Sequence, residues 1–191
     1  MTKQAPRKAV FLDRDGVINE PVVREGKSYP PSSLAAFRIY PEVAPACKLL
    51  KEAGFLLVVV TNQPDVGRGT QERAVVEAIH ARMCESLPID RVEVCYDPHE
   101  GLSEFYKPAP GMLFQAAEAL EIDLQASYMI GDRWRDIDCG HAAGCTTGFI
   151  DRGYREALRK QPHFRAASLG EVAAIILRTS IPAAVKDLPP R

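Results

Sequence analysis

The sequence predicts an α/β domain built on a doubly wound parallel sheet with helices on both faces. Three observations carry this. Short apolar, β-rich runs alternate with helical patterns along the chain. The run Phe55 to Val60 is almost wholly apolar, as a central strand buried on both faces requires. Polar residues also follow candidate strands directly, at Asp13, Thr61 and Asp132, where open parallel sheets gather ligands.

Ala9 to Leu12 is the first strand, and Asp13-Arg14-Asp15-Gly16 turns the chain out of the sheet behind it. A long Pro-bearing loop is expected from Asn19 to Pro41, then a helix over about Glu42 to Ala53 that Gly54 ends. Phe55 to Val60 delivers Thr61-Asn62-Gln63 to its C-terminal end. A helix follows from roughly Gln71 to Ser86, then a strand near Val92 to Tyr96 and a loop to Ala109. Pro110, with its fixed φ, opens the next helix. Ser127 to Ile130 is a strand that empties into Gly131-Asp132, and the helix from about Trp134 to Ala143 stops at Gly144. Thr146 to Ile150 reads as a further strand, and Ser168-Leu169-Gly170-Glu171 is a capping box opening a helix to about Arg178. A single domain over residues 1–180 is expected, with a frayed Pro-rich tail over 181–191.

Four polar stations lie along this frame: Asp13/Asp15, Thr61-Asn62, Lys107 and Asp132/Asp136. Each has an ordinary reading: Asp-Gly turns, a strand-ending β-branched residue at Thr61 with a plain turn over Asn62-Gln63-Pro64, a helix N-cap at Asp132, a solvated helix position at Asp136, a surface charge at Lys107. At least three of them directly follow a candidate strand, and their order along the chain favours a shared pocket. Phosphoryl transfer needs a nucleophile, a cation on the phosphate oxygens, hydroxyl or amide donors and a fixed positive side chain, and the stations offer a candidate for each. Asp132 and Asp136, four apart, are expected to share a helix face, and three or four acids make a hard-oxygen site suited to Mg²⁺.

Together FLDRDGVIN, VVVTNQ, YKPAPGM and MIGDRWRDI resemble the haloacid dehalogenase (HAD) superfamily of phosphatases, over about Val10 to Ile150. The closer resemblance is to the branch holding heptose 1,7-bisphosphate and histidinol-phosphate phosphatases. It implies a Rossmann-like core and Mg²⁺-dependent hydrolysis of a small phosphorylated metabolite, such as a sugar bisphosphate. Asp13 would form an aspartyl-phosphate and Asp15 would act as general acid and base. Thr61 and Lys107 would bind phosphate, with Asn62 adding donors. Mg²⁺ would sit on Asp13, the Asp15 carbonyl and Asp132, with Asp136 supporting the metal and Lys107.

Two departures from that branch stand out. Its zinc loop usually has a Cys/His pair and then a Cys-x-Cys pair; Cys95 and His99 echo the first, but Ser103-Glu104-Phe105-Tyr106 replaces the second. Two ligands do not close a structural zinc site, so none is expected. Tyr106 also stands where the branch has an Arg beside the Lys, which removes a bidentate phosphate fork. The roughly 25 residues between Gly16 and the next helix leave no room for a separate cap domain. Loops would close the pocket, with Val22 to Ser33, carrying Arg24 and Lys27, and Cys95 to Tyr106 as its walls. Arg68 and Arg133 are candidates to touch substrate, and Trp134 is either a wall or a helix-packing aromatic.

Composition narrows the field. A formal net charge of -1 with no like-charge block gives no footprint for nucleic acid or an anionic membrane. The longest apolar run is far too short to span a bilayer, and the polar start MTKQAPRK has no apolar signal-peptide segment behind it, so a cytoplasmic protein is expected. Five scattered cysteines argue against a disulfide framework, and oligomeric state is not readable. A receiver-like domain shares the acids, Thr and Lys but carries its phosphoacceptor on a later strand. A silent phosphate-binding relative would be expected to lack one of the polar stations.

Overall fold

The computed structural model describes residues 6–180; the expected frayed tail at 181–191 lies outside the described residues, as do the side chains of Lys27 and Ser180. In chain order the elements are β1 (Ala9–Leu12), a hairpin of β2 (Val22–Arg24) and β3 (Lys27–Tyr29), α1 (Val43–Glu52), β4 (Leu56–Asn62) and a short α2 (Pro64–Gly67). They continue as α3 (Arg73–Ser86), β5 (Arg91–Cys95), α4 (Gly111–Leu120), β6 (Tyr128–Gly131), α5 (Trp134–Ala143), β7 (Thr146–Ile150), β8 (Phe164–Ala166) and α6 (Leu169–Ser180).

Six strands form one parallel sheet in the order β5-β4-β1-β6-β7-β8. Burial on both faces explains the unbroken apolar runs. On β1, Val10 and Leu12 join a core with α1, α3 and α6, whereas Ala9 and Phe11 face a second core with α4 and α5. The chain runs outward from β1 through β4 to β5, then returns to place β6 on the other side of β1. That reversal makes the β1/β6 boundary the topological switch point, where the sheet opens a crevice beyond its carboxyl ends.

Three departures from the sequence expectation have local causes. The predicted loop Asn19 to Pro41 contains the β2–β3 hairpin and a 3-10 turn over Leu34–Ala36. The hairpin closes on Glu25-Gly26, both at positive φ (52° and 75°), a two-residue turn that Glu seldom begins. Asn62-Gln63-Pro64 is not a simple turn, since Pro64 starts α2. Strand β8, three residues long, follows a loop after β7 and was not signalled by alternation. The capping box at α6 forms with a shift: Ser168 Oγ accepts from Glu171 N at 3.2 Å, while Glu171 reaches Ala167 N at 2.8 Å. Among the described residues there is no separate cap domain. No described helix is long and apolar enough to cross a membrane. All five cysteines are free; Cys84 is exposed and the others are buried.

Candidate active site

Asp13 is held at the switch point because its backbone N–H continues the ladder to Ile130 O at 2.9 Å. The chain then turns sharply: Asn19 N and Ile18 N both bond Arg14 O, and Gly16 N bonds Asn19 O at 2.8 Å. Gly16 sits at φ +95°, and a Cβ there would collide with the Asp132 carboxylate. The turn and the β6 end thus press together, which brings Asp13 and Asp132 side by side.

Lys107 lies in a loop 12 residues past β5, yet it is pinned to β4. Its backbone N–H donates to Asn62 Oδ1 and its carbonyl accepts from Asn62 Nδ2, both at 3.1 Å. Its Nζ, buried at 3% exposure, reaches Val60 O at 2.9 Å and both Asp13 Oδ1 and Asp136 Oδ1 at 2.6 Å. Burial alone would lower the Lys107 pKa, but the two carboxylates outweigh it and raise it, so the ammonium is fixed.

Asp132 and Asp136 meet by a different route from the shared helix face expected. Asp132 precedes α5, whose N-cap is Arg133, and Asp136 Oδ2 accepts from Arg133 N at 3.1 Å, folding the first turn back on the strand end. Among the described residues, Asp13, Asp132 and Asp136 are the one cluster of three or more His, Cys, Asp or Glu side chains able to share an ion, with ligand atoms within 4.8 Å. Both oxygens of buried Asp132 lack a hydrogen-bond partner. A buried carboxylate with no donor is costly, so this hard-oxygen set fits a divalent cation. Burial first, then the charges of Asp13 and Asp136, pushes the Asp132 carboxyl well above its ordinary range. Burial, with Asp136 and Asp15, pushes Asp13 up to about 6 even against Lys107.

Asp15 has the opposite environment. Burial would raise its pKa, but the Arg14 charge and hydrogen bonds from Asn19, Arg14 and Gln63 hold it below the usual carboxylate value. Gln63 Nε2 donates at 2.9 Å to both Asp15 Oδ2 and Thr61 Oγ1, so it couples Thr61 to the pair. Because that oxygen is an acceptor here, the buried Thr61 hydroxyl keeps its own hydrogen to donate elsewhere.

These groups line a cavity of about 310 Å³ whose outer wall includes Tyr29, Pro30, Pro64 and Tyr106. Arg68, Arg133 and Arg135 stand around it. Each already faces an acid: Arg68 pairs with Asp65 at 3.2 Å, Arg133 with Glu156 at 2.7 Å and Arg135 with Glu100 at 3.3 Å. Arg24 is not among the lining residues. Trp134, the first residue of α5, is buried with the Arg135 and Arg159 guanidinium groups over its ring and does not line this cavity. Cys95 packs in the core beside Tyr106, His99 Nδ1 turns to Glu100 O, and Ser103 hydrogen-bonds Asp97 across the loop. Sequence reasoning missed Gln63, Arg135 and Tyr154, whose buried hydroxyl lies near Asp132 and Gly16. Only Gln63, next to Thr61-Asn62, had a positional signal.

The fold and the acid–lysine crevice at its switch point define a phosphohydrolase of the HAD type. A family model described as HAD-hydrolase-like matches residues 105–172. The D-glycero-β-D-manno-heptose-1,7-bisphosphate 7-phosphatase of Yersinia pestis is 37% identical over 164 residues, covering 80% of this chain and 83% of its own. The corresponding heptose bisphosphate phosphatase of Thermosynechococcus vestitus is 34% identical over 189 residues, with 86% and 92% covered. The crystal structure of D,D-heptose 1,7-bisphosphate phosphatase from B. bronchiseptica, complexed with magnesium and phosphate, superposes with a TM-score of 0.74 at 25% identity, covering 91% of this chain and 99% of that one. The chain belongs to the HAD phosphatases and is a hydrolase of phosphomonoesters.

Proposed function

We propose that this chain is a single-domain, Mg²⁺-dependent phosphatase of a sugar bisphosphate of the heptose 1,7-bisphosphate type, working through an aspartyl-phosphate on Asp13. The observation that carries the reading is the buried cluster in which Lys107 bridges Asp13 and Asp136 while both Asp132 oxygens stand without donors. The names of the relatives supply the substrate class.

Asp13 attacks phosphorus through the carboxylate whose other oxygen Lys107 holds; with its pKa at about 6, it is mostly ionised at neutral pH. Lys107 and the Thr61 hydroxyl hold phosphate oxygens. Asn62 and Asp136 keep Lys107 in place, since both Asp136 oxygens are already engaged. Asp15 protonates the departing alkoxide and later takes a proton from the attacking water. Its low pKa suits the second task; an arriving phosphate dianion raises it toward the first. Mg²⁺, held by Asp13 and Asp132, would neutralise charge between the carboxylate and the phosphate. Arg68 and Arg133 receive the second phosphate by exchanging their carboxylate partners.

Mg²⁺-dependent phosphate release, ranked by kcat/KM over heptose 1,7-bisphosphate, other sugar phosphates and histidinol phosphate, tests the substrate. Preference for histidinol phosphate would overturn the sugar assignment. Steady-state turnover retained by Asp13→Asn would remove the nucleophile.

A further inference from the structure

Arg14 lies between Asp13 and Asp15 in sequence but has no place in the phosphate chemistry. Among the described residues it is the largest fully buried side chain, at 0% exposure. Its guanidinium grips Asp15 Oδ2 through Nε at 3.2 Å and Nη2 at 2.9 Å. On the far side, Nη1 lies 3.0 Å from His80 Nε2, in the middle of α3. A fully buried guanidinium must place its donors, because an unpaired buried charge is strongly disfavoured.

The direction of that last bond is fixed by chemistry. Arginine only donates, so His80 Nε2 must accept, and its ring hydrogen sits on Nδ1. His80 is itself buried, and burial together with the Arg14 charge pushes it down to about 4, so the neutral ring persists at working pH. The result is an ordered chain: α3 backbone, His80, Arg14, Asp15. Asn19 at 3.0 Å on Oδ1 and Gln63 at 2.9 Å on Oδ2 complete the hold on the carboxylate.

We propose that His80 is a positioning residue for Asp15, acting through Arg14: by accepting the Nη1 hydrogen it locks the guanidinium fork and so aims the Asp15 carboxylate at the leaving group. This inference rests on Asp15 being the acid/base. A proton donor works only within hydrogen-bond reach of the leaving oxygen, and a displacement of roughly 1 Å can cost about a hundredfold. A link two residues behind the carboxylate is where such a displacement would be set.

The test compares His80→Met, which fills the space without an acceptor at that place, with His80→Gln, which can offer one, in the Mg²⁺-loaded full chain. His80→Met is expected to lower kcat by about 10–100-fold with KM within about threefold, while His80→Gln stays within about threefold of wild type in both. The loss in kcat/KM, which reports phosphoryl transfer to the enzyme, should be larger for an alkyl sugar phosphate than for 4-nitrophenyl phosphate, whose leaving group needs little protonation. Arg14→Lys, unable to span both partners, should show the same pattern and abolish any further effect of His80→Met. If His80→Met does not fold, His80→Leu, which also lacks an acceptor, takes its place in the same comparison. Equal losses in His80→Met and His80→Gln, full kcat in Arg14→Lys, or additive effects in the double variant would overturn the link. Asp15→Asn separates the two levels. If it keeps full activity the acid/base reading fails, whereas its loss beside an active His80→Met sinks only the positioning role.

Discussion

Replacing Lys107 by Met should expose how much of the fold depends on the active-site charge balance. The Nζ makes two ion pairs at 2.6 Å with its side chain 3% exposed. At an effective dielectric of about 20, each pair is worth on the order of 6 kcal/mol before desolvation is counted. Relief of the lysine's own burial offsets much of that, and removing one partner of a buried pair typically costs about 3–5 kcal/mol. Domains are stable by only about 5–15 kcal/mol, so the loss is a large fraction of the total. With a urea slope of about 2 kcal/mol per M, the unfolding midpoint should fall by about 1.5–2.5 M. The assay is equilibrium urea unfolding at pH 7 with chelator present, so that no divalent cation substitutes for the ammonium. A midpoint within about 0.5 M of wild type would refute the claim that the two buried carboxylates of Asp13 and Asp136 depend on this one cation.

Three further outcomes are expected. The Asp13 carboxyl titrates at about 6 in the folded protein against 3.8 as the ordinary value. The stability it lends through proton binding is therefore fully present below pH 3.8 and lost as pH rises through about 6. In chelator, wild type minus Asp13→Asn should show that loss, about 3 kcal/mol, across this window, and a flat difference would contradict it. Gly16→Ala forces a Cβ into the Asp132 carboxylate at a left-handed φ, so it should cost about 2–4 kcal/mol and most of the activity; calorimetry and kcat together check this. Asn62→Ala removes both bonds to the Lys107 backbone and should lower kcat about tenfold or more while moving Tm by only a few degrees, measured by phosphate release and thermal unfolding.

The parts of this molecule that sequence reveals are those where a short period or a strand end forces the chemistry into view. Asp13, Thr61 and Asp132 were legible because an apolar run stops and a polar group appears at once, and the parallel sheet brings those ends together. Lys107 was legible only through its order between them, since nothing in a loop lysine announces burial. Arg14 and His80 carried no signal: a buried charge has no periodicity, and its partner lies 66 residues away. Strand β8 and the β2–β3 hairpin escaped because three residues are too few to show alternation, and their pairing is decided by neighbours. The meeting of Asp132 with Asp136 was anticipated, but its cause is the turn that Asp136 builds with Arg133 N, a contact that spacing alone does not specify.

Lys107 is fastened to β4 by its own backbone and by its ammonium, although it belongs to the loop that also forms the pocket's outer wall. Changes of length or composition between Asp97 and Phe105 would therefore be absorbed before they reach the reacting atoms, as would changes at the tip of the β2–β3 hairpin. Selection could reshape the rim for a different phosphorylated metabolite while the chemistry beneath remained untouched. In such a lineage the substrate would be the fast-evolving trait and phosphoryl transfer the inherited one.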